Sequence, residues 1–335
     1  MRKKMQEKKS IKNTRFRTPV ILLTLFVQLA LATYLCCLFI FYGPLANLRR
    51  FVVDTAMNTY SHQFIARVFL SDDAIRKIMS DGTSAKAAKQ KITDIKVQNF
   101  DNKNIEQYEI KGNQYHGYLL VVSDPTRVKV GLTKQLLKVG ETTSGIAKDH
   151  NAVAAINGGG FSGGSTWVGT GAEPTDFVFS NGKLAFRQSG LKTSSICNCI
   201  ALSGQGKLIV GNHSANDLER LGVTDAVTMP GYQPLIVNGS GVYSGDGGAG
   251  FNPRTAIGQR RDGSILLLAL DGRRVNMLGA TLRDVQNILL SKGAYTAAAL
   301  DGGSSTTMYY DGQIINNPCS AFGERTVSTA FYVTR

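Results

Sequence analysis

Residues 300–311, Leu-Asp-Gly-Gly-Ser-Ser-Thr-Thr-Met-Tyr-Tyr-Asp, carry the densest chemistry in the chain. The apolar run at 297–300 reads as a buried strand. It delivers the carboxylate of Asp301 onto Gly302 and Gly303 and then onto the hydroxyls of Ser304, Ser305, Thr306 and Thr307. Glycine permits close backbone approach to a ligand, and hydroxyls and bare N–H groups are donors to an oxyanion. The plain structural alternative is a hairpin turn, for which Asp-Gly and Gly-Gly are ordinary signals. Two more apolar strands end in the same manner. Residues 152–156 run into Asn157-Gly158-Gly159-Gly160-Phe161, and residues 264–270 run into Asp271-Gly272-Arg273. Arg254-Thr255 and Glu324-Arg325 flank adjoining strands.

If neighbouring strands emerge on one side of a sheet, these ends form a single pocket of carboxylates, arginines, hydroxyls and glycine backbone, without histidine. Arginine and oriented N–H groups bind an anion, and carboxylates do acid, base or nucleophile work, so the inventory suits a phosphorylated or sulfated ligand. The alternative is that Asp271 and Asp301 cap turns and the arginines neutralise them.

Other motifs are weaker. Gly160-Phe161-Ser162-Gly163-Gly164 approaches the Gly-x-Ser-x-Gly hydrolase pattern, but a glycine-rich loop containing Trp167 follows where a nucleophile elbow needs a helix. No phosphate-binding P-loop and no dinucleotide fingerprint is present. Cys197, Cys199 and His213 as zinc ligands would lack a second Cys pair. No cofactor is predicted; neighbouring Asp and Glu are compatible with a divalent cation, but no ligand spacing specifies one.

Around this chemistry the pattern predicts an α+β fold: a mixed, strand-rich sheet core with a few flanking helices, preceded by one transmembrane helix and a stem. Paired strands are expected at 119–122 and 128–132, and a helix at 142–149. A hairpin is expected about Asn181-Gly182, and a helix at 282–290 with Thr281 as N-cap and Gly293 as its stop. A terminal strand is expected at 326–334. Cys197 or Cys199 pairing with Cys319, and free buried thiols, are equally open.

The chain's net charge is +14, and half of it lies in the first 17 residues, where eight cations meet one anion. Residues 20–42 contain no charge and as a helix would span about 34 Å, enough for a bilayer core. A polybasic tail ahead of such a run predicts a cytoplasmic N-terminus and an extracellular remainder. A cleaved signal peptide is the competing reading, but this run is long for one and Gly43-Pro44-Leu45-Ala46 is a poor cleavage site. The charge therefore does not imply nucleic-acid binding, for which no basic-aromatic face exists beyond the tail. The expected organisation is a basic tail at 1–18, a membrane anchor at 19–43, an extracellular stem at 44–116 and the folded domain at 117–335.

The blocks Asn157-Gly158-Gly159 with Phe161, Pro253-Arg254-Thr255-Ala256-Ile257-Gly258, Asp271-Gly272-Arg273, Gly279-Ala280-Thr281-Leu282, the run at 300–308 and Gly323-Glu324-Arg325 together resemble the phosphodiester glycosidase family. They occur in the family's order across about 118–335. One departure is that three glycines follow Asn157, where the family pattern has two before an aromatic pair. The resemblance implies hydrolysis of a sugar-1-phosphodiester at the anomeric C–O bond, with a phosphorylated glycan as partner. It further implies phosphate binding by Arg254 and Arg325 with Ser304, Ser305 and the glycine N–H groups, including those of Gly302 and Gly303. Asp301 and Glu324 are then the leading catalytic carboxylates, with Asp271 behind them. Asn157 and Arg273 are expected to bind sugar hydroxyls or orient the acids, and Gly158, Gly159 and Thr255 to belong to the substrate-binding set. An envelope phosphoglycan transferase and a non-catalytic receptor for anionic polysaccharide are the alternative functions.

Overall fold

The structure is a computed structural model that describes residues 2–57, 63–80, 88–162, 170–231, 234–245, 247, 250–274, 276–320 and 323–335. The loop containing Gly163, Gly164 and Trp167 lies outside them. The chain divides into two units, Met1–Ile78 and Met79–Arg335.

The first unit is helical, with α1 (Arg2–Tyr42), α2 (Ala46–Met57), α3 (Gln63–Arg67) and α4 (Asp72–Ser80). Within α1, Pro19–Tyr42 is long and apolar enough to cross a membrane, with a mean hydropathy of 2.3 and no protein covering that window. Its threonines suit an apolar surrounding: the Thr24 and Thr33 hydroxyls each donate to the carbonyl four residues back, at 2.8 Å. Gly43-Pro44 ends the helix, because proline disfavours helical geometry in the residue before it. Arg49 Nη1 donates to the freed carbonyls of Phe41 and Gly43 at 3.2 and 3.4 Å. Ser71 opens α4, its hydroxyl accepting from Ala74 N–H at 3.2 Å, with Asp72 and Asp73 in the first turn.

The second unit is α+β, as expected. Nine of its strands position the candidate site: β1 (Ile105–Lys111), β2 (His116–Val122), β3 (Val128–Leu132), β4 (Ala154–Asn157), β5 (Arg254–Arg260), β6 (Ile265–Leu270), β7 (Ala294–Ala299), β8 (Met308–Tyr310) and β9 (Thr329–Val333). A seven-stranded sheet runs β1-β2-β6-β5-β7 and ends in the short strands at 236–237 and 240–241. A five-stranded sheet runs from the strand at 313–314 through β8-β4-β9-β3. A second five-stranded sheet holds the strands at 208–213, 197–203, 223–228, 177–180 and 183–187 in that order. The Asn181-Gly182 turn of the last pair has both central residues at positive φ, 51° and 75°, the geometry of a tight hairpin.

All three sheets turn one face to a shared core. Ile257, Ile265, Leu267 and Leu300 of the first meet Val130, Ile156, Met308 and Phe331 of the second and Val178, Ile200 and Val227 of the third. The continuous apolar run of β6 follows from this arrangement. Ile265, Leu267 and Ala269 face that core, while the alternate residues Leu266, Leu268 and Leu270 face a second one under the helix at 282–291. Each such leucine contributes about 1.5–3 kcal/mol by burial. That helix starts in a capping box, with Thr281 Oγ1 accepting from Asp284 N–H at 3.0 Å and Asp284 Oδ2 accepting from Thr281 N–H at 2.9 Å. We label it α7, after α5 (Thr143–Asp149) and α6 (Ala215–Arg220), which cover the outer faces of the two five-stranded sheets.

The boundary expected at residue 117 moves upstream. Every residue of β1 pairs with β2, from Ile105 opposite Val122 to Lys111 opposite His116. Ahead of it, Lys96 and Gln98 N–H donate to Arg261 and Asp262 carbonyls at 2.8 and 3.2 Å. The Gln90 amide bridges Leu208 C=O and Val210 N–H at 2.7 and 2.9 Å. Residues 88–116 are thus built into the folded unit. Their polar composition belongs to an edge strand with one wet face, which in sequence looks like a linker.

Candidate active site

The sheet order brings the predicted strand ends together. β5 lies between β6 and β7 and is antiparallel to both, so Asp271 and Asp301 leave at the edge where Arg254 and Thr255 enter. Asn157, from the facing sheet, fastens the edge. Its Nδ2 donates to Asp301 C=O at 2.5 Å, and its Oδ1 accepts from the Thr255 hydroxyl at 2.7 Å and from Thr307 N–H at 3.2 Å. Asp301 N–H in turn donates to Gly158 C=O at 3.2 Å. Asn157 is fully buried, so it holds the Asp301 turn and is not placed to meet a sugar hydroxyl.

The two glycines after Asn157 are required by close packing. A Cβ on Gly158 would lie 2.4 Å from Thr329 Oγ1, and one on Gly159 2.5 Å from Thr228 C=O. Gly303 has a φ of 62° and its Cα side is covered by the Arg273 guanidinium, which a Cβ there would meet at 3.2 Å. Gly302 passes closer still to the Pro253 carbonyl, which a Cβ there would meet at 2.7 Å.

The Asp301 carboxyl is enclosed by its neighbours, although part of the residue still reaches solvent. Burial pushes its pKa above the ordinary aspartate value, against the opposing pull of the Ser305 hydroxyl, Arg325, the Gly302 N–H and Arg273. Arg325 Nη1 donates to Ser304 Oγ at 3.1 Å, and its guanidinium lies over the Phe161 ring at 5.0 Å. Arg273 donates from Nε and Nη2 to Asn252 Oδ1, at 3.2 and 3.0 Å. The Ser305 and Thr307 hydroxyls are fully buried and make no hydrogen bond of normal geometry. Two cations, the Ser304 hydroxyl and the Gly302 N–H near one carboxylate leave the cluster positive and rich in donors, which is a setting for an anion.

Three expected site residues are committed elsewhere. Glu324 accepts from Ser144 N–H at 2.9 Å and from the Ser144 hydroxyl in a short bond, both in the first turn of α5. That grip fixes the turn from which Arg325 projects. Asp271 accepts from Asn316 Nδ2 at 2.8 Å and from Asn317 N–H at 3.0 Å, and burial pushes its pKa up despite them. Asn316 continues the tie, its Oδ1 accepting from Met308 N–H at 2.7 Å. Arg254, only 5% exposed, donates from Nε to Ala280 C=O at 2.9 Å and from Nη2 to Gly250 C=O at 2.7 Å, and so braces the loop ahead of α7. Ser144, Asn252 and Asn316 had no motif to announce them, because each acts on a partner distant in sequence.

All five cysteines are free. Burial pushes Cys197 up to about 11 and Cys199 higher still, and Cys199 Sγ donates to the Cys197 and His213 carbonyls, so both behave as packed thiols. A cavity of about 650 Å³ lies away from the strand ends, against Gln90, Val210, His213, Pro234 and Val237. Its one acid, Asp217, is already bonded to Ser214 and Arg220, so its size does not make it the catalytic centre.

With this geometry in place, comparison with known proteins is informative. Over 78 residues the chain is 38% identical to the uncharacterized SPbeta prophage-derived protein YomE of Bacillus subtilis; the match covers 23% of this chain and 12% of that protein, so the chain spans about an eighth of the relative's length. Among solved structures, the catalytic domain of zebrafish N-acetylglucosamine-1-phosphodiester alpha-N-acetylglucosaminidase, auto-inhibited by its pro-peptide, has the same fold. The TM-score is 0.58 at 19% identity, covering 76% of this chain and 88% of that one. A hypothetical protein from Synechocystis aligns with a TM-score of 0.48 at 19% identity, over 69% of this chain and 62% of that one. The family model for phosphodiester glycosidases matches residues 150–334, which include every strand end described above, and the chain belongs to that family.

Proposed function

We propose that this protein hydrolyses sugar-1-phosphodiesters at the anomeric C–O bond, releasing free sugar and a phosphomonoester. The observation that carries the reading is one enclosed carboxylate, Asp301, within electrostatic reach of both Arg325 and Arg273, with Arg325 bonded to the neighbouring Ser304 and Arg273 lying over Gly303. Arg325, Arg273, the Ser304 hydroxyl and the glycine N–H groups hold the phosphodiester, and the buried Ser305 hydroxyl orients Asp301. Asp301 takes a proton from water as the water oxygen bonds to C1, and the C1–O bond electrons leave with the phosphate. A phosphomonoester is an adequate leaving group without a general acid, so a single carboxylate suffices for an oxocarbenium-like displacement. Direct attack by water inverts the anomeric centre. Asn157, Glu324, Asp271 and Arg254 act as positioning residues. The span at 19–42, with its basic flank, anchors the enzyme with its N-terminus inside and its catalytic unit outside, where phosphodiester-linked envelope glycans or exopolysaccharide are the substrates.

The test is proton NMR of the full chain in detergent micelles with a panel of sugar-1-phosphodiesters. Early appearance of free sugar with inverted configuration is expected. Retained configuration would overturn the single-step role of Asp301. Binding without release would replace hydrolysis by a receptor function, and release only with an added glycan acceptor would indicate a transferase.

A further inference from the structure

The helical unit carries apolar side chains that no described residue covers, and their position identifies what does. Phe64 and Val68 are 61% and 70% exposed. They are four residues apart on one helical turn, closed by Val68 N–H to Phe64 C=O at 2.9 Å, and so share a face. Leu45 and Leu48, at the start of α2, are exposed as well. Just beyond α3, the Phe69 ring stacks on Phe41 with centroids 4.7 Å apart and planes at 12°, and the Tyr42 hydroxyl donates to Phe69 C=O. The end of α3 is thereby fixed to the last turn of the apolar helix.

We propose that α2 and α3 form a collar seated on the lipid surface, with Phe64 and Val68 entering the headgroup layer. The inference rests on the reading of residues 19–42 as a membrane span. Geometry decides the level. Five helical residues rise about 7.5 Å, and each interfacial layer of a bilayer is about 5–8 Å deep, so at any tilt of α3 both side chains stay within about one layer of the span's end. Charge agrees with that depth: Arg49 sits on the carbonyls of Phe41 and Gly43, and Arg67, three residues after Phe64, is exposed and ion-paired with Asp72 at 3.6 Å, polar groups suited to the hydrated headgroup layer. Tyr42 is an aromatic residue of the kind enriched at that boundary. Lipid is the occupant because the patch is continuous with the uncovered surface of the span, which acyl chains cover. Residues 44–57 and 63–70 are then laid along the membrane.

The test uses the full chain in phosphatidylcholine vesicles, with Trp167→Phe as background and single tryptophans placed by Leu31→Trp, Phe64→Trp or Val68→Trp. Lipids brominated at mid-chain should quench the Leu31→Trp protein. Lipids brominated near the headgroup should quench the other two, with blue-shifted emission. If Leu31→Trp is quenched but Phe64→Trp and Val68→Trp emit as in water, the collar is refuted and the span stands. If Leu31→Trp is also unquenched, the span and the collar fall together.

Discussion

Asp301 differs from the other acids at the strand ends because both Arg325 and Arg273 act on its carboxyl, whereas Glu324 is held by Ser144 and Asp271 by Asn316 and Asn317. Replacing it by Asn keeps the shape and removes the charge. Activity should fall about 10²–10⁴-fold, the range for losing a positioned base, while circular dichroism stays native. The pH dependence follows from the raised pKa. The folded state holds the Asp301 proton more tightly than the unfolded chain, so its contribution to stability is present at low pH and lost as pH rises through the raised pKa. Asp301→Asn should therefore melt higher than the native protein at neutral pH and level with it in acid. Because the working form is the carboxylate, the acid limb of the native kcat/KM profile should lie above the ordinary aspartate range. Arg325 belongs to the same cluster but should act on binding. Loss of a charged hydrogen bond of about 1.5–3 kcal/mol predicts a KM about 10–100-fold higher in Arg325→Met, and an unchanged KM would remove this residue from the phosphate site.

At the scale of the element, the turn at 323–325 and the strand end at Asn157 decide where those side chains stand. Glu324 grips α5 through Ser144, and Gln can make both hydrogen bonds, accepting from the amide and donating to the hydroxyl. Glu324→Gln should keep activity within about threefold, whereas a catalytic carboxylate would lose at least 10² by the same change. Glu324→Ala should release the turn and weaken substrate binding through Arg325. Asn157→Ala leaves Thr307 N–H and Asp301 C=O without their partner in a buried place, and about 2–4 kcal/mol of stability should be lost. Its kcat should fall more than its KM rises, since Asn157 holds the backbone of Asp301 and touches no ligand. The sequence exposed these elements by local signals. Asn-Gly marked a hairpin, Thr281 and Gly293 marked the ends of a helix, and glycines after a buried polar residue marked each strand end. What it did not expose was direction: a carboxylate that braces a helix and one that awaits a substrate are written with the same letters.

For the whole molecule, the limits of the folded unit are the most direct prediction. A chain beginning at residue 115 lacks β1 and presents the near-continuous apolar strand β2 as an open edge, whereas one beginning at residue 88 keeps the edge paired. Light scattering and thermal melting should find the shorter chain aggregating and the longer one monodisperse; equal behaviour would return residues 88–116 to the role of a stem. The apolar helix at 19–42, the α+β class, the main helices and the order of the strand ends were all determined by sequence, since each depends on periodicity, charge or turn chemistry within a few neighbouring residues. Tertiary structure alone decided that β5 enters between β6 and β7, so that Asp301, Arg273 and Arg325 converge while Glu324, Asp271 and Arg254 are drawn into bracing. Those choices depend on burial and on partners such as Ser144 and Asn316, which lie 180 and 45 residues away from the acids they bind, and no local pattern encodes such pairings.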